Sequence, residues 1–116
     1  MYELVQKKCM PCVVGAKCLQ GEELKSYMKL VNGDWILDKE HHIEKQYAFR
    51  NFRQALAFVN AIGRIAEEEG HHPDLHLSWG QVKVFLWTHK IGGLCENDFI
   101  MAAKIDAIYV SLGQSR

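Results

Sequence analysis

The chain has 116 residues, 48% of them apolar, and its 14 basic and 14 acidic side chains cancel. That length suits one compact domain with a modest core, which subunit contacts could supplement. Zero net charge argues against a dedicated nucleic-acid surface or polybasic membrane patch, and no run approaches the ~18–20 apolar residues of a membrane span.

The opening MYELVQKK lacks the apolar centre of a secretory signal, so the cytoplasm is the expected compartment. Residues 1–18 read as an irregular arm punctuated by Pro11 and Gly15. The arm carries Cys9, Cys12 and Cys18. Cys9 and Cys12 form a C-x2-C pair, but a zinc knuckle needs further ligands and no second such pair follows; His41 or His42 could serve, though nothing in the sequence selects them. A redox pair would open a helix after a strand, and no strand pattern precedes this one. The thiols are therefore expected to be reduced and structural.

A helix begins at Gly21, with Leu24, Tyr27, Met28 and Val31 on one face and Glu22 and Glu23 in the first turn; NGD at 32–34 stops it. Strands follow in WILDKEHHIEKQYAF, with Ile43, Lys45, Tyr47 and Phe49 on one side and His41 and His42 near a turn. The next helix has Asn51 as N-cap, a stripe of Phe52, Leu56, Val59, Ile62 and Gly63, and Gly70 as its stop. Ala55, Phe58 and Ile65 fall outside that stripe and suggest a helix-mediated subunit contact. Only Glu67 of the acidic run 67–69 is singled out; the rest reads as a solvated helix end. LHLSWGQVKVFLWTH reads as a hairpin turning at Gly80-Gln81, and a last helix covers ENDFIMAAKIDAIYV. The order α-β-β-α-β-β-α predicts a single α+β domain over 1–116, with a four-stranded antiparallel sheet and three helices on one face.

Half of the six histidines, His71, His72 and His76, lie in EEEGHHPDLHLSWG. A turn at 80–81 pairs Trp79 with Val82, Leu77 with Val84 and Leu75 with Leu86, which places all six on the core face. The same count brings His72 opposite His89, whereas His76 lies about 13 Å along the strand from His72. The expected spatial triplet is thus His71, His72 and His89, with His76 on the solvent side. Adjacent histidines before Pro73 do not supply the helical pair of a metalloprotease.

The spacing E-x3-H-H-P-x5-W-x9-H-x8-D, from Glu67 through His71, His72, Pro73, Trp79 and His89 to Asp98, closely resembles the signature of the pterin-4a-carbinolamine dehydratases. THKIGGLCENDF is similar to that family's approach to the last helix, and the C-x-P-C-x-x-G opening resembles some microbial members. The resemblance implies a hydro-lyase that converts 4a-hydroxytetrahydropterin to quinonoid dihydropterin, serving an aromatic amino-acid hydroxylase without a metal or prosthetic group. It also implies a homodimer or homotetramer. The family's three histidines map onto His71, His72 and His89. Histidine offers both protonation states near neutrality, as this dehydration needs. His71 and His89 are the expected acid and base, and His72 positions substrate or tunes its neighbour. Asp98 is expected to orient His89, Glu67 to bind or orient at the helix end, and Trp87 and Thr88 to line the pterin slot. Trp87 and Phe85 could instead face a subunit. Two positions depart from the family pattern: Gly70 replaces an aspartate of the animal members, and Cys95 replaces a Ser or Thr helix cap. The competing readings are an interaction protein of the same fold, like a transcriptional coactivator or a carboxylase assembly factor, and a metal-binding module built on the arm cysteines or histidines.

Overall fold

The computed structural model describes residues 2–10, 18–31 and 33–113. Cys12, Pro11, Gly15 and Asn32 therefore lie outside the described residues. The elements run α1 (Tyr2–Gln6), α2 (Gly21–Met28), β1 (Ile36–Asp38), β2 (His42–Ala48), α3 (Phe52–Glu69), β3 (Asp74–Ser78), β4 (Gln81–Leu86), a 3-10 turn (His89–Ile91) and α4 (Glu96–Ser111). The fold is α+β, with one antiparallel sheet in the order β1-β2-β4-β3. One feature corrects the expected irregular arm: Tyr2–Gln6 is helical and packs on α4, with Leu4 buried in the core.

Local signals at α3 act as anticipated. The Asn51 side chain accepts from the Gln54 N–H at 2.9 Å, and Gly70 ends the helix in a left-handed conformation at φ 67°. Its buried face differs from the expected stripe. Ala55, Phe58, Ile62 and Ala66 are buried, while Phe52 and Leu56 are exposed. Both sets recur every three or four residues, so periodicity alone could not choose between them. Ala55 and Phe58 belong to the chain's own core, which removes them as pointers to a subunit contact.

The β3–β4 register is also corrected. Ser78 pairs with Gln81, Leu77 with Val82 and Leu75 with Val84, so the two-residue turn is Trp79-Gly80. The difference is two residues, an even number, and each remaining side chain keeps its face. Trp79 moves from the expected core to an exposed turn, at 68% relative exposure. Gly80 packs against the Phe49 backbone: its carbonyl accepts from the Phe49 N–H at 2.9 Å, and an added Cβ would lie 3.0 Å from the Phe49 oxygen. That close approach favours glycine at 80.

The inner face of β2 is Ile43, Lys45, Tyr47 and then Phe49, all buried. Its one charge is matched from α4. Asp106 accepts from Lys45 Nζ at 2.7 Å, from Trp35 Nε1 at 2.9 Å and from the Tyr47 hydroxyl. Burial, and then the adjacent carboxylate, hold the Tyr47 phenol well above its ordinary pKa, so it remains a donor. Lys45 also lies 4.7 Å from the Tyr47 ring centroid.

Asp106→Ala would strand a buried ammonium and two buried donors. Urea unfolding should show a loss of about 3 kcal/mol. Adding Lys45→Met should recover part of it; no recovery would show that the charge is not what the carboxylate offsets.

Candidate active site

The site lies where the C-terminal end of α3, the start of β3, the end of β4 and the first turn of α4 converge. Gly70 reverses the chain out of α3, and the His71 N–H remains bonded to the Ala66 carbonyl at 3.2 Å. Pro73 then leads into β3. After β4, Thr88 and Gly93 form an antiparallel bridge, with Thr88 N–H donating to the Gly93 carbonyl at 2.7 Å. The bridge closes the loop that carries the His89–Ile91 turn and delivers the chain to Cys95, the N-cap of α4.

Asp98 joins these pieces. It has no solvent exposure. Its Oδ1 lies 2.6 Å from His71 Nε2, and its Oδ2 accepts from Thr88 Oγ1 and from the Cys95 N–H, each at 2.9 Å. The last contact is the acidic half of a capping box and satisfies a free amide at the start of α4. Cys95 Sγ lies 3.1 Å from Thr88 Oγ1, so the thiol also belongs to this network. Contrary to expectation, the partner of Asp98 is His71 and not His89. With Nε2–H directed at a carboxylate, the neutral His71 ring carries its lone pair on Nδ1, and the carboxylate balances the charge gained on protonation.

His72 and His89 are arranged differently. Strand pairing stops at Asp74–Phe85; on the same count His72 comes level with Trp87, so the expected His72–His89 pair is not formed. His72 Nε2 instead meets Glu67 Oε2 at 2.6 Å in a solvent-exposed pair. His89 is the first residue of the 3-10 turn rather than a strand end. Its ring stacks on Trp87, with centroids 4.3 Å apart and planes at 12°. His76 is exposed, as expected, with its ring beside Phe85.

All three expected histidines line one cavity of about 520 Å3, with Trp87 and Thr88. That volume is within the ~300–1,000 Å3 range of small-molecule sites. Asp98 stands behind the wall, and Glu67 is not among the lining residues.

Glu69, Asn97, Cys9 and Met10 also line the cavity, with Gly70, Asp74 and Lys90, and none of the four was expected at this site. The roles within the acidic run are the reverse of those expected. Glu67 is largely exposed, whereas Glu69 is turned inward, accepting from the Cys9 N–H at 2.7 Å and lying 3.7 Å from Lys104 Nζ. These contacts join residues far apart in sequence, so no local pattern signals them. The one legible hint was Asn97, a polar residue directly before Asp98 in a helix whose next five residues are apolar. Burial, then the Glu69 carboxylate beside it, push the Cys9 thiol up to about 12.

The family model for pterin 4 alpha carbinolamine dehydratase matches residues 17–108, which include the three histidines, Thr88 and Asp98. The chain belongs to the pterin-4a-carbinolamine dehydratase family. A protein of Alkaliphilus metalliredigens provisionally named as such a dehydratase is 49% identical, over 91% of this chain and 96% of the relative. One from Rubrobacter xylanophilus, also provisionally named so, is 47% identical, over 93% of this chain and 100% of the relative. Among solved structures, a transcriptional coactivator/pterin dehydratase from Brucella melitensis is similar at a TM-score of 0.74 and 29% identity, covering 79% of this chain and 98% of that one. A pterin dehydratase-like protein identified as a RuBisCO assembly factor in the alpha-carboxysome is similar at 0.57 and 27% identity, covering 71% and 93%. Among the described residues, no helix is long and apolar enough to cross a membrane.

The raised pKa of Cys9 predicts an unreactive thiol. At pH 8 its thiolate is far scarcer than that of an unburied cysteine. Iodoacetamide labelling followed by peptide mapping should find Cys9 modified far more slowly than a free cysteine; labelling at the free-thiol rate would contradict the burial.

Proposed function

We propose that this protein dehydrates a 4a-hydroxytetrahydropterin to the quinonoid dihydropterin, acting as a hydro-lyase in pterin recycling for an aromatic amino-acid hydroxylase. The observation that carries the reading is the convergence of His71, His72 and His89 on one cavity, with His71 tied to a fully buried carboxylate. Family membership supplies the substrate class.

The reaction breaks the bond between C4a and its hydroxyl and forms a double bond from C4a to the adjacent ring nitrogen. One proton goes to the departing oxygen, which leaves as water, and one leaves the nitrogen. No electrons are exchanged with a partner, so the chemistry requires proton transfer and no redox cofactor. His71 is the base in this proposal, because Asp98 fixes its tautomer and balances the positive charge that arrives with the proton. His89 is the acid, presented by its stack on Trp87. His72, paired with Glu67 at the rim, positions the substrate. Thr88 holds the second oxygen of Asp98 and so acts through His71.

A second reading, a non-catalytic interaction protein of the same fold, draws on the neighbour described as a RuBisCO assembly factor. The paired His71 and Asp98 favour the enzyme, because a docking surface has no need of an imidazole held on a buried carboxylate.

A stopped-flow assay on freshly generated 4a-carbinolamine, with EDTA present, tests the proposal. The protein should accelerate dehydration well above the spontaneous rate; no acceleration would sink it. His71→Ala and His89→Ala should each lower kcat by about 10²-fold or more. Asp98→Asn should lower kcat by at least about tenfold with little change in KM, since it alters the tautomer and charge balance of His71 but touches no substrate. An unchanged rate in either histidine variant would remove that residue from the mechanism.

A further inference from the structure

We propose that the β1–β2 hairpin carries a divalent-metal site of the zinc class, with Asp38, His42 and Glu44 as its ligands. It is separate from the cavity, since none of the three lines it. The proposal does not depend on the dehydratase reading, because metal binding is read without turnover.

Strand pairing assembles the ligands. Asp38 on β1 is the register partner of His42 on β2, and Glu44 follows two residues along β2. Residues two apart share a face of a sheet. Ile43 and Lys45, at the alternate positions, are buried on the inner face, so His42 and Glu44 project from the outer one. The turn that sets this register holds Lys39 and Glu40 at φ 53° and 57°. It is closed by the His41 N–H, which donates to the Asp38 carbonyl at 2.9 Å.

The donor atoms stand near metal-ligand spacing. His42 Nε2 lies 3.3 Å from Glu44 Oε2 and 3.7 Å from Asp38 Oδ2, and all three ligand atoms lie within 4.8 Å of one another. A tetrahedral zinc ion with bonds of about 2.1 Å holds its ligands about 3.4 Å apart. Both edges from His42 are close to that value. The remaining edge closes by movement of Asp38, whose side chain is 48% exposed, against 18% for His42 and for Glu44. Water completes the four-coordinate shell. An imidazole beside two carboxylates favours zinc over magnesium or calcium, which take oxygen ligands.

The surroundings prepare each ligand. His42 Nδ1 lies 3.2 Å from His41 Nδ1. Donation of Nδ1–H to that nitrogen puts the His42 lone pair on Nε2, toward the carboxylates. Lys83 Nζ lies 3.5 Å from Glu44 Oε1, which leaves Oε2 for the metal. Phe85 is the register partner of Glu44 on β4. The Phe85 and Trp87 rings lie 5.8 Å and 6.0 Å from the His42 ring, so apolar surface walls one side of the ligand set. The exposed side of Asp38 supplies the path by which an ion enters.

The test is a calorimetric titration of Zn2+ into the full chain, free of affinity tags and stripped with EDTA. Wild type should bind Zn2+, and His42→Ala and Glu44→Gln should each weaken one equivalent of it by at least about tenfold. Zn2+ should raise the melting temperature of wild type and not that of Glu44→Gln. No binding to wild type, or binding undiminished in either variant, overturns the ligand set; in the second case the ion sits elsewhere, on the cavity histidines or the cysteines. Co2+ in place of Zn2+ should give the intense visible bands of a four-coordinate site. A near-ultraviolet thiolate charge-transfer band would place the metal on cysteine and overturn the proposal. Should His42→Ala unfold, as circular dichroism would reveal, the near-isosteric Glu44→Gln still decides.

Discussion

A single buried carboxylate holds the site together. Asp98 accepts hydrogen bonds at 2.9 Å from the Thr88 hydroxyl and the Cys95 amide and sits 2.6 Å from His71 Nε2. Those partners come from the end of β4, the start of α4 and the junction of α3 with β3. A carboxylate without water is costly unless its oxygens are satisfied. This one is satisfied by three donors and by its place in the first turn of α4, where the helix dipole favours negative charge. The cost of leaving it unpaired is what constrains the three chain segments to one geometry. His71 gains a fixed ring orientation from the same arrangement.

Asp106 plays an equivalent part elsewhere on α4, where it matches the one charge on the inner face of β2. A sheet face that carries Lys45 among Ile43, Tyr47 and Phe49 can pack only if α4 presents an acceptor there. The last helix is thus positioned by two acids, one serving the site and one the core. Its apolar residues supply bulk burial, and the two carboxylates supply register, because hydrogen bonds are directional and hydrophobic contacts are not.

The outer sheet face collects aromatic rings and imidazoles. His42 lies near Phe85 and Trp87, His76 beside Phe85, and Trp87 under His89. Trp87 therefore has cavity on one flank and the β2 hairpin on the other, since His41 also lies against it. Trp87 lines the cavity, and Phe85 lies on the sheet face beside His42 and His76.

Local chemistry determined much of this in the sequence alone. Asn51 and Gly70 bounded α3 because capping and left-handed termination are properties of a few adjacent residues. Strand alternation assigned faces correctly even though the hairpin turn was misplaced, because a two-residue slip preserves parity. The recurrence of the family signature from Glu67 to Asp98 marked the histidines that share the cavity. The tertiary structure decided what depends on packing between distant segments. It chose which of two equally periodic stripes of α3 is buried, and it sent Trp79 to the surface because Gly80 abuts the Phe49 backbone. Asp98 went to His71 rather than His89, and Glu69 rather than Glu67 turned inward to meet the Cys9 amide and Lys104. Each of these is a choice among alternatives of similar local energy, and contacts between residues remote in sequence are what separate them.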